Sequence, residues 1–187
     1  MVDLLVPNRS NIKPLDVATR AENLGYDGLW MSELWGDNAL VRLTEIATHT
    51  DDIELGTAIV NVFSRTPAVL AMAAATLDDI SDGRFTLGVG TSTEKAIEDL
   101  HGIEWEGPNP VRRAHETIEF TTKFLENDGR VEYDGEVFAV QDFPALEVSV
   151  PIYHAALGDA NCRVVGRLCD GWIPHNIPFP LLNDTYE

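Results

Sequence analysis

The chain has 187 residues, 44% of them hydrophobic, with 31 acidic against 13 basic side chains, a formal charge of −18 and two cysteines. That length builds one core without disulfides or a structural metal, which excludes a small stapled scaffold and predicts a single domain over 1–187. A charge of −18 repels a phosphate backbone and an anionic membrane surface, so neither nucleic acid nor a membrane is expected as a partner.

Ordinary solubility needs far less charge, and only three of the basic residues are lysine, Lys13, Lys95 and Lys123. This balance points to a halophilic protein, because at molar salt the Debye length shrinks to about 3 Å and neighbouring carboxylates stop repelling one another. The opening MVDLLVPNRSNIK carries no basic region followed by an apolar run, and no stretch approaches eighteen uninterrupted apolar residues. A soluble, cytoplasmic protein is predicted. Cys162 and Cys169 fall seven residues apart in a predicted helix, about 10.5 Å along its axis and beyond disulfide reach.

Short apolar runs alternate with helical patterns, the signature of a parallel sheet with crossover helices. Asp3 to Val6 is the first predicted strand. Pro14 then opens a helix with Leu15, Ala18, Ala21 and Leu24 as its buried stripe, stopped by Gly25. Asp27 to Ser32 is the second strand, Ala39 to Thr50 a helix burying Leu40, Leu43, Ile46 and Ala47, and Ile53 to Val60 the third strand. The next helix, Pro67 to Ile80, is apolar nearly all round as far as Leu77, unlike a one-faced surface helix. After an Asp82-Gly83 turn come the fourth strand, Phe85 to Val89, a helix from Val111 to Glu126, and a small hairpin in RVEYDGEVFAV. Pro151 to Leu157 and Gly171 to Ile173 are the fifth and sixth core strands. Six such units fit either a doubly wound open sheet or a TIM-type (β/α)8 barrel, and periodicity does not choose between them.

In both architectures ligands gather at the carboxyl ends of the strands. After the second strand, Glu33 stands between Trp30 and Trp35, an acid among flat apolar groups suited to a planar heterocycle. The third strand runs through Asn61 and Ser64 to Arg65, either a strand end bent around a ligand or an ordinary strand-to-helix loop. After the fourth, Gly88 and Gly90 permit close backbone approach and Thr91, Ser92 and Thr93 supply hydroxyls, although the third glycine of a dinucleotide fingerprint is missing. After the fifth, Gly158, Asp159, Ala160 and Asn161 open a helix whose free N–H groups suit a phosphate. Asp159 counts against that reading, and helix capping by Asp159 or Asn161 is the plain alternative. The five histidines lack metal-ligand spacing and no serine sits in a nucleophile elbow, so metal catalysis and acyl transfer have no support.

The strings NLGYDGLWMSELWG, LGTAIVNVFSRTPAVLAMAAATLDDISDGRFTLGVGTS and VPIYHAALGDANCRVVGRLCDGWIP resemble successive segments of the bacterial-luciferase-like family, specifically its coenzyme F420-dependent oxidoreductases. The similarity covers nearly the whole chain and is most specific from Leu55 to Ser92. Reductases of methanogens and halophilic archaea are the relatives it suggests, including methylenetetrahydromethanopterin reductase. The resemblance implies a TIM barrel holding a flavin or deazaflavin at its carboxyl end, and a homodimer formed through the second and third helices. The helix Pro67 to Ile80, whose apolar circumference leaves it no face for water, is expected to lie in the dimer interface.

Residue by residue, the resemblance implies that Glu33, the expected catalytic residue, lies near the cofactor ring and that Ala58-Ile59 is a non-prolyl cis peptide supporting the ring face. It also implies that Gly158 to Asn161 form the cofactor phosphate loop. Trp30, Asn61, Gly90, Thr91 and Ser92 complete the expected cofactor site. Leu34 stands where F420-using relatives commonly have histidine, and Asp159 where the family favours proline. The chain ends where a seventh and an eighth strand would follow, so an incomplete barrel of about six of its eight units is expected. Hydride transfer between F420 and a small organic substrate is the implied activity. An FMN-dependent monooxygenase, or a truncated inactive chain serving as a subunit, are the alternatives.

Overall fold

A computed structural model describes residues 2–6, 13–105 and 109–175. In chain order the elements are β1 (Asp3–Val6), α1 (Pro14–Asn23), β2 (Gly28–Met31), α2 (Ala39–Ala47), β3 (Glu54–Thr57), β4 (Val60–Asn61), α3 (Pro67–Ile80) and β5 (Phe85–Gly90). They continue with α4 (Glu94–His101), α5 (Pro110–Glu126), β6 (Arg130–Asp134), β7 (Ala139–Pro144), β8 (Ile152–Ala155), α6 (Asp159–Leu168) and β9 (Gly171–Ile173). Six strands in the order β1-β2-β3-β5-β8-β9 form a curled, wholly parallel sheet, with the short β4 added on β5. This is a (β/α) half-barrel, and of the two architectures left open by periodicity it is the barrel.

Local chemistry sets the element ends. Pro14, Pro67 and Pro110 take the first turns of α1, α3 and α5, where a missing N–H costs nothing. Asn38, Thr66 and Thr93 side chains accept the free N–H groups of Val41, Val69 and Ala96 at the starts of α2, α3 and α4. Gly102 ends α4 in the left-handed conformation, φ 63°, at the position where glycine is favoured.

The sheet has two unlike faces. Leu29, Met31, Leu55, Leu87, Val89 and Ile152 are buried and meet the helices, as a parallel sheet requires when crossovers cover it. On the inner face Trp30 lies over Gly56, where an added Cβ would fall 2.3 Å from the indole, and Tyr153 lies over Gly171 in the same way at 2.4 Å. Each bulky ring occupies the volume that the facing glycine vacates.

At the amino-terminal end of the sheet, the Arg84 guanidinium donates to the carbonyls of Ser81, Ile53, Thr50 and Ala47. Glu22 accepts the backbone N–H groups of Asp51, Asp52 and Ile53. Burial works to raise the Glu22 pKa, but those three N–H groups and nearby Arg84 hold it below the ordinary value. The hairpin β6–β7 is pinned to α5 by the same device. Glu116, fully buried, accepts from Glu136, Val137 and Phe138 at 2.8, 2.8 and 3.1 Å and pairs with Arg112 at 2.8 Å.

Several expectations change, among them the fifth core strand, which is confined to Ile152–Ala155. The third strand does not run unbroken from Ile53 to Val60: it stops at Thr57 and resumes at Val60. Helix α2 ends at Ala47 rather than Thr50. Leu24 is exposed, being the residue that caps α1. Helix α3 is also less enclosed than its composition suggests. Leu70, Ala71, Ala74 and Leu77 pack into the core, while Val69 (44% exposed) and Met72 (48%) stand on an outer face shared with Thr76. Both cysteines are free, and burial pushes the Cys169 thiol up to about 12. Among the described residues no helix is long and apolar enough to cross a membrane, and no group of three His, Cys, Asp or Glu is placed to hold a metal.

Candidate active site

The strand order sets Glu33, Ala58-Ile59, Asn61, Gly90 to Ser92 and Gly158 to Asn161 at the carboxyl ends of β2, β3/β4, β5 and β8, which are neighbours in the sheet. Most of the expected residues therefore share one arc. Trp30 is the exception, since it lies within β2 rather than after it. Its indole N–H donates to Asp3 Oδ2 at 3.1 Å and its ring centroid is 5.7 Å from that of Tyr153, so it fills the barrel interior below the strand ends.

The break between β3 and β4 shapes the arc. The Ala58-Ile59 peptide bond is cis. Ala58 N–H donates to Met31 O at 2.8 Å, and Glu33 N–H to Ile59 O at 3.3 Å, so both sides of the bulge are tied to β2 and its loop. Thr57 closes it from the other side: its hydroxyl donates to Gly88 O and accepts Gly88 N–H, each at 2.8 Å. The close approach that Gly88 permits is thus the approach of Thr57's own carbonyl, which an added Cβ would meet at 1.7 Å. Ile59 extends over Gly90, where an added Cβ would be 3.1 Å from the isoleucine side chain.

Glu33 is held on three sides. Arg65 Nη1 lies 2.6 Å from Oε1, Nη2 lies 2.9 Å from Oε2, and the Ala39 N–H at the start of α2 also donates to Oε2, at 3.0 Å. The side chains of Glu33 and Arg65 are only 11% and 15% exposed. A bidentate, charge-assisted pair of this kind fixes both groups in orientation as well as charge. Arg65, open to a plain surface reading in sequence, is instead the partner that holds the acid in place.

Asn61 is 2% exposed and spends its amide inside the protein. Its Oδ1 accepts the N–H groups of Phe63 and Ser64, and its Nδ2 meets His101 Nε2 at 3.1 Å. His101, together with Glu33, Leu34, Trp35, Ser64 and Arg65, lines a cleft of about 430 Å³. Nothing in the sequence singles out His101, which ends a helix about forty residues beyond Asn61. Only the partnership with Asn61 distinguishes it from an ordinary helix-terminal histidine.

Along β5, Gly90 leads to Thr91 and Ser92, the latter at φ 62°, and Thr93 then caps α4. On β8, Gly158 precedes α6 without any side-chain cap, which leaves the first-turn N–H groups of Asp159, Ala160 and Asn161 without one. Asn161 is tied back to the strand through His154, whose Nε2 lies 3.3 Å from Asn161 Oδ1 and whose Nδ1 lies 3.2 Å from Val89 O. Burial lowers the His154 pKa, only partly opposed by those two contacts. A neutral ring has one N–H; with Val89 O accepting it from Nδ1, the Asn161 amide must turn its NH2 toward Nε2.

Solved structures share this fold. A curated F420-dependent glucose-6-phosphate dehydrogenase of Microbacterium testaceum is 34% identical over 173 residues, 85% of this chain and 51% of its own. The 5,10-methylenetetrahydromethanopterin reductase of Archaeoglobus fulgidus is 33% identical over 157 residues, covering 81% and 45%. Among solved structures, the coenzyme F420-dependent tetrahydromethanopterin reductase of Methanopyrus kandleri superposes with a TM-score of 0.81 at 24% identity, over 93% of this chain and 55% of that one. The chain thus spans about half the length of the curated relatives it matches. The luciferase-like monooxygenase family profile matches residues 13–186, and the chain belongs to that family.

Proposed function

We propose that the chain is the carboxyl-end cofactor platform of an oxidoreductase that transfers hydride between coenzyme F420 and a small organic substrate. The observation that carries this is the agreement of two similarities whose names specify the same cofactor but different substrates, glucose 6-phosphate and tetrahydromethanopterin. The cofactor is the common element, and the substrate stays open between them.

Two features of the site suit a deazaflavin. A cleft lined by Trp35 and Leu34 accepts a flat ring, and the uncapped first turn of α6 offers N–H donors to a phosphate. Asp159, in that same turn, opposes an anion there. In this reading Ala58-Ile59, Gly90, Thr91 and Ser92 border the ring and Gly158 to Asn161 hold the phosphate, while Trp30 shapes the interior beneath. The bound deazaflavin supplies the hydride chemistry, and the protein orients and shields it. Glu33, paired with Arg65, acts as a fixed charge at the ring rather than as a proton carrier. A homodimer through the outer face of α3, a salt-rich cytosol and a haloarchaeal type of host complete the proposal. High salt also shortens the reach of the −18 charge against an anionic cofactor.

The test is cofactor binding by the purified chain in molar salt, with F420 and FMN titrated separately and followed by absorbance and fluorescence. Glucose 6-phosphate is then offered as hydride donor and methylenetetrahydromethanopterin as acceptor. Saturable F420 binding supports the proposal. Preference for FMN transfers the site to the monooxygenase alternative, and binding of neither overturns both.

A further inference from the structure

Glu33 and Arg65 satisfy each other, so the polar chemistry left to the cleft falls to other groups. His101 lines that cleft and is gripped from behind by Asn61. The grip has a direction. Asn61 Oδ1 accepts the backbone N–H of Phe63 at 3.0 Å and of Ser64 at 2.8 Å, and turning the amide over would set its NH2 against both donors. With the residue 2% exposed, solvent is not there to compensate. Nδ2 is therefore the atom facing the ring, and as a pure donor it requires a lone pair on His101 Nε2. A neutral imidazole has one N–H, and this arrangement puts it on Nδ1. No described residue accepts that N–H.

We propose that Asn61 locks His101 in the Nδ1–H tautomer, and that this N–H donates a hydrogen bond to an oxygen acceptor of the ligand in the cleft. The proposal rests on the deazaflavin reading and adds a specificity-determining residue to it. A locked donor discriminates by chemistry: a carbonyl or enolate oxygen is accepted, whereas a hydroxyl or amine that must donate at that point is refused. The acceptor can belong to the cofactor ring or to a carbonyl substrate, and the same chemistry recognises both.

The tautomer is read first, without any ligand, by long-range proton–nitrogen correlation on the histidine-labelled chain. Wild type is expected to show Nδ1 protonated and Nε2 bare. Asn61→Asp, which presents an acceptor to the ring, should move the proton to Nε2. A wild-type proton on Nε2, or an unchanged pattern in Asn61→Asp, overturns the lock.

Binding is then measured with F420 alone and with acetone added as a carbonyl probe. His101→Ala should weaken binding about five- to tenfold, the worth of one hydrogen bond. His101→Asn, which keeps an N–H donor at that height on the side chain, should recover most of it. Loss already present with F420 alone places the acceptor on the cofactor; loss confined to acetone places it on the substrate. Wild-type affinity in His101→Ala under both conditions overturns the donor role. A wild-type chain that binds no F420 overturns the deazaflavin reading and the donor role together, and is told apart because wild type itself is then silent.

Discussion

Gly88→Ala is the substitution to which this fold should be least tolerant, and its cost follows from distances. The added Cβ would lie 1.7 Å from the Thr57 carbonyl oxygen, 2.9 Å from that carbonyl's carbon and 2.8 Å from Ile173 Cδ1. Ile173 can rotate away, but Thr57 cannot. Its carbonyl is strand backbone, and its hydroxyl already holds Gly88 by two hydrogen bonds. Non-bonded heavy atoms rest at about 3.5–4.0 Å, so β3 and β5 would have to separate by well over an ångström. Overpacking costs about 1–3 kcal/mol and each severed hydrogen bond about 1 kcal/mol. A loss of about 3–5 kcal/mol is expected, a large part of the 5–15 kcal/mol that holds a typical domain together.

Gly166→Ala supplies the opposite sign from the same chemical change. Gly166 is exposed in the interior of α6, and an added Cβ would meet nothing within 4 Å. Alanine should stabilise the helix by about 0.5–1 kcal/mol. Urea titrations followed by circular dichroism compare the two, with the midpoint carrying the answer as long as the slope is unchanged. A Gly88→Ala midpoint equal to wild type, or one above that of Gly166→Ala, would refute the steric account of the bulge.

Three further outcomes are expected. Met72→Glu, on the outer face of α3, should release monomers in light scattering if the proposed dimer forms there, whereas Ala74→Glu, at a fully buried position, should destabilise the chain itself. His154 has a lowered folded pKa, so as pH falls below about 6.5 the unfolded chain takes up the proton first and stability drops, by at most about 1.4 kcal/mol per pH unit. Above that pH the group contributes no slope, and thermal melts between pH 5 and 8 should lose this component in His154→Gln. Circular dichroism that is the same in about 0.1 M and about 3 M potassium chloride would sink the halophilic proposal, because unscreened carboxylates should loosen the fold in dilute buffer.

What could be read in the sequence is what period and punctuation encode. Helix α3 falls on Pro67–Ile80 because proline marks its start and an Asp82-Gly83 turn its end. The six core strands lie where short apolar runs alternate with helical spacing. Contacts between distant residues left no such mark. Arg65 lies 32 residues from Glu33 and His101 lies 40 from Asn61, and neither pair has a spacing that announces it. The outer face of α3 was hidden for a different reason: valine and methionine look alike to a periodicity argument whether they face a core or solvent.

The polar groups at the strand ends are engaged with one another. Glu33 closes on Arg65, Asn61 on the 63–64 backbone and His101, Thr57 on Gly88, and His154 on Asn161. All but the local Asn61 turn join a strand or its following loop to another element. An arc wired this way gains rigidity and commits its side chains: the acid is held by its pair, and burial disfavours charge on His154. Such a site is poorly equipped for side-chain nucleophilic or proton-relay chemistry. It is well equipped to hold a planar cofactor in one orientation, since fixed donors need no reorganisation when the ligand arrives. That division of labour, with rigid walls in the protein and redox chemistry in the bound group, is what the proposed oxidoreductase requires of its protein part.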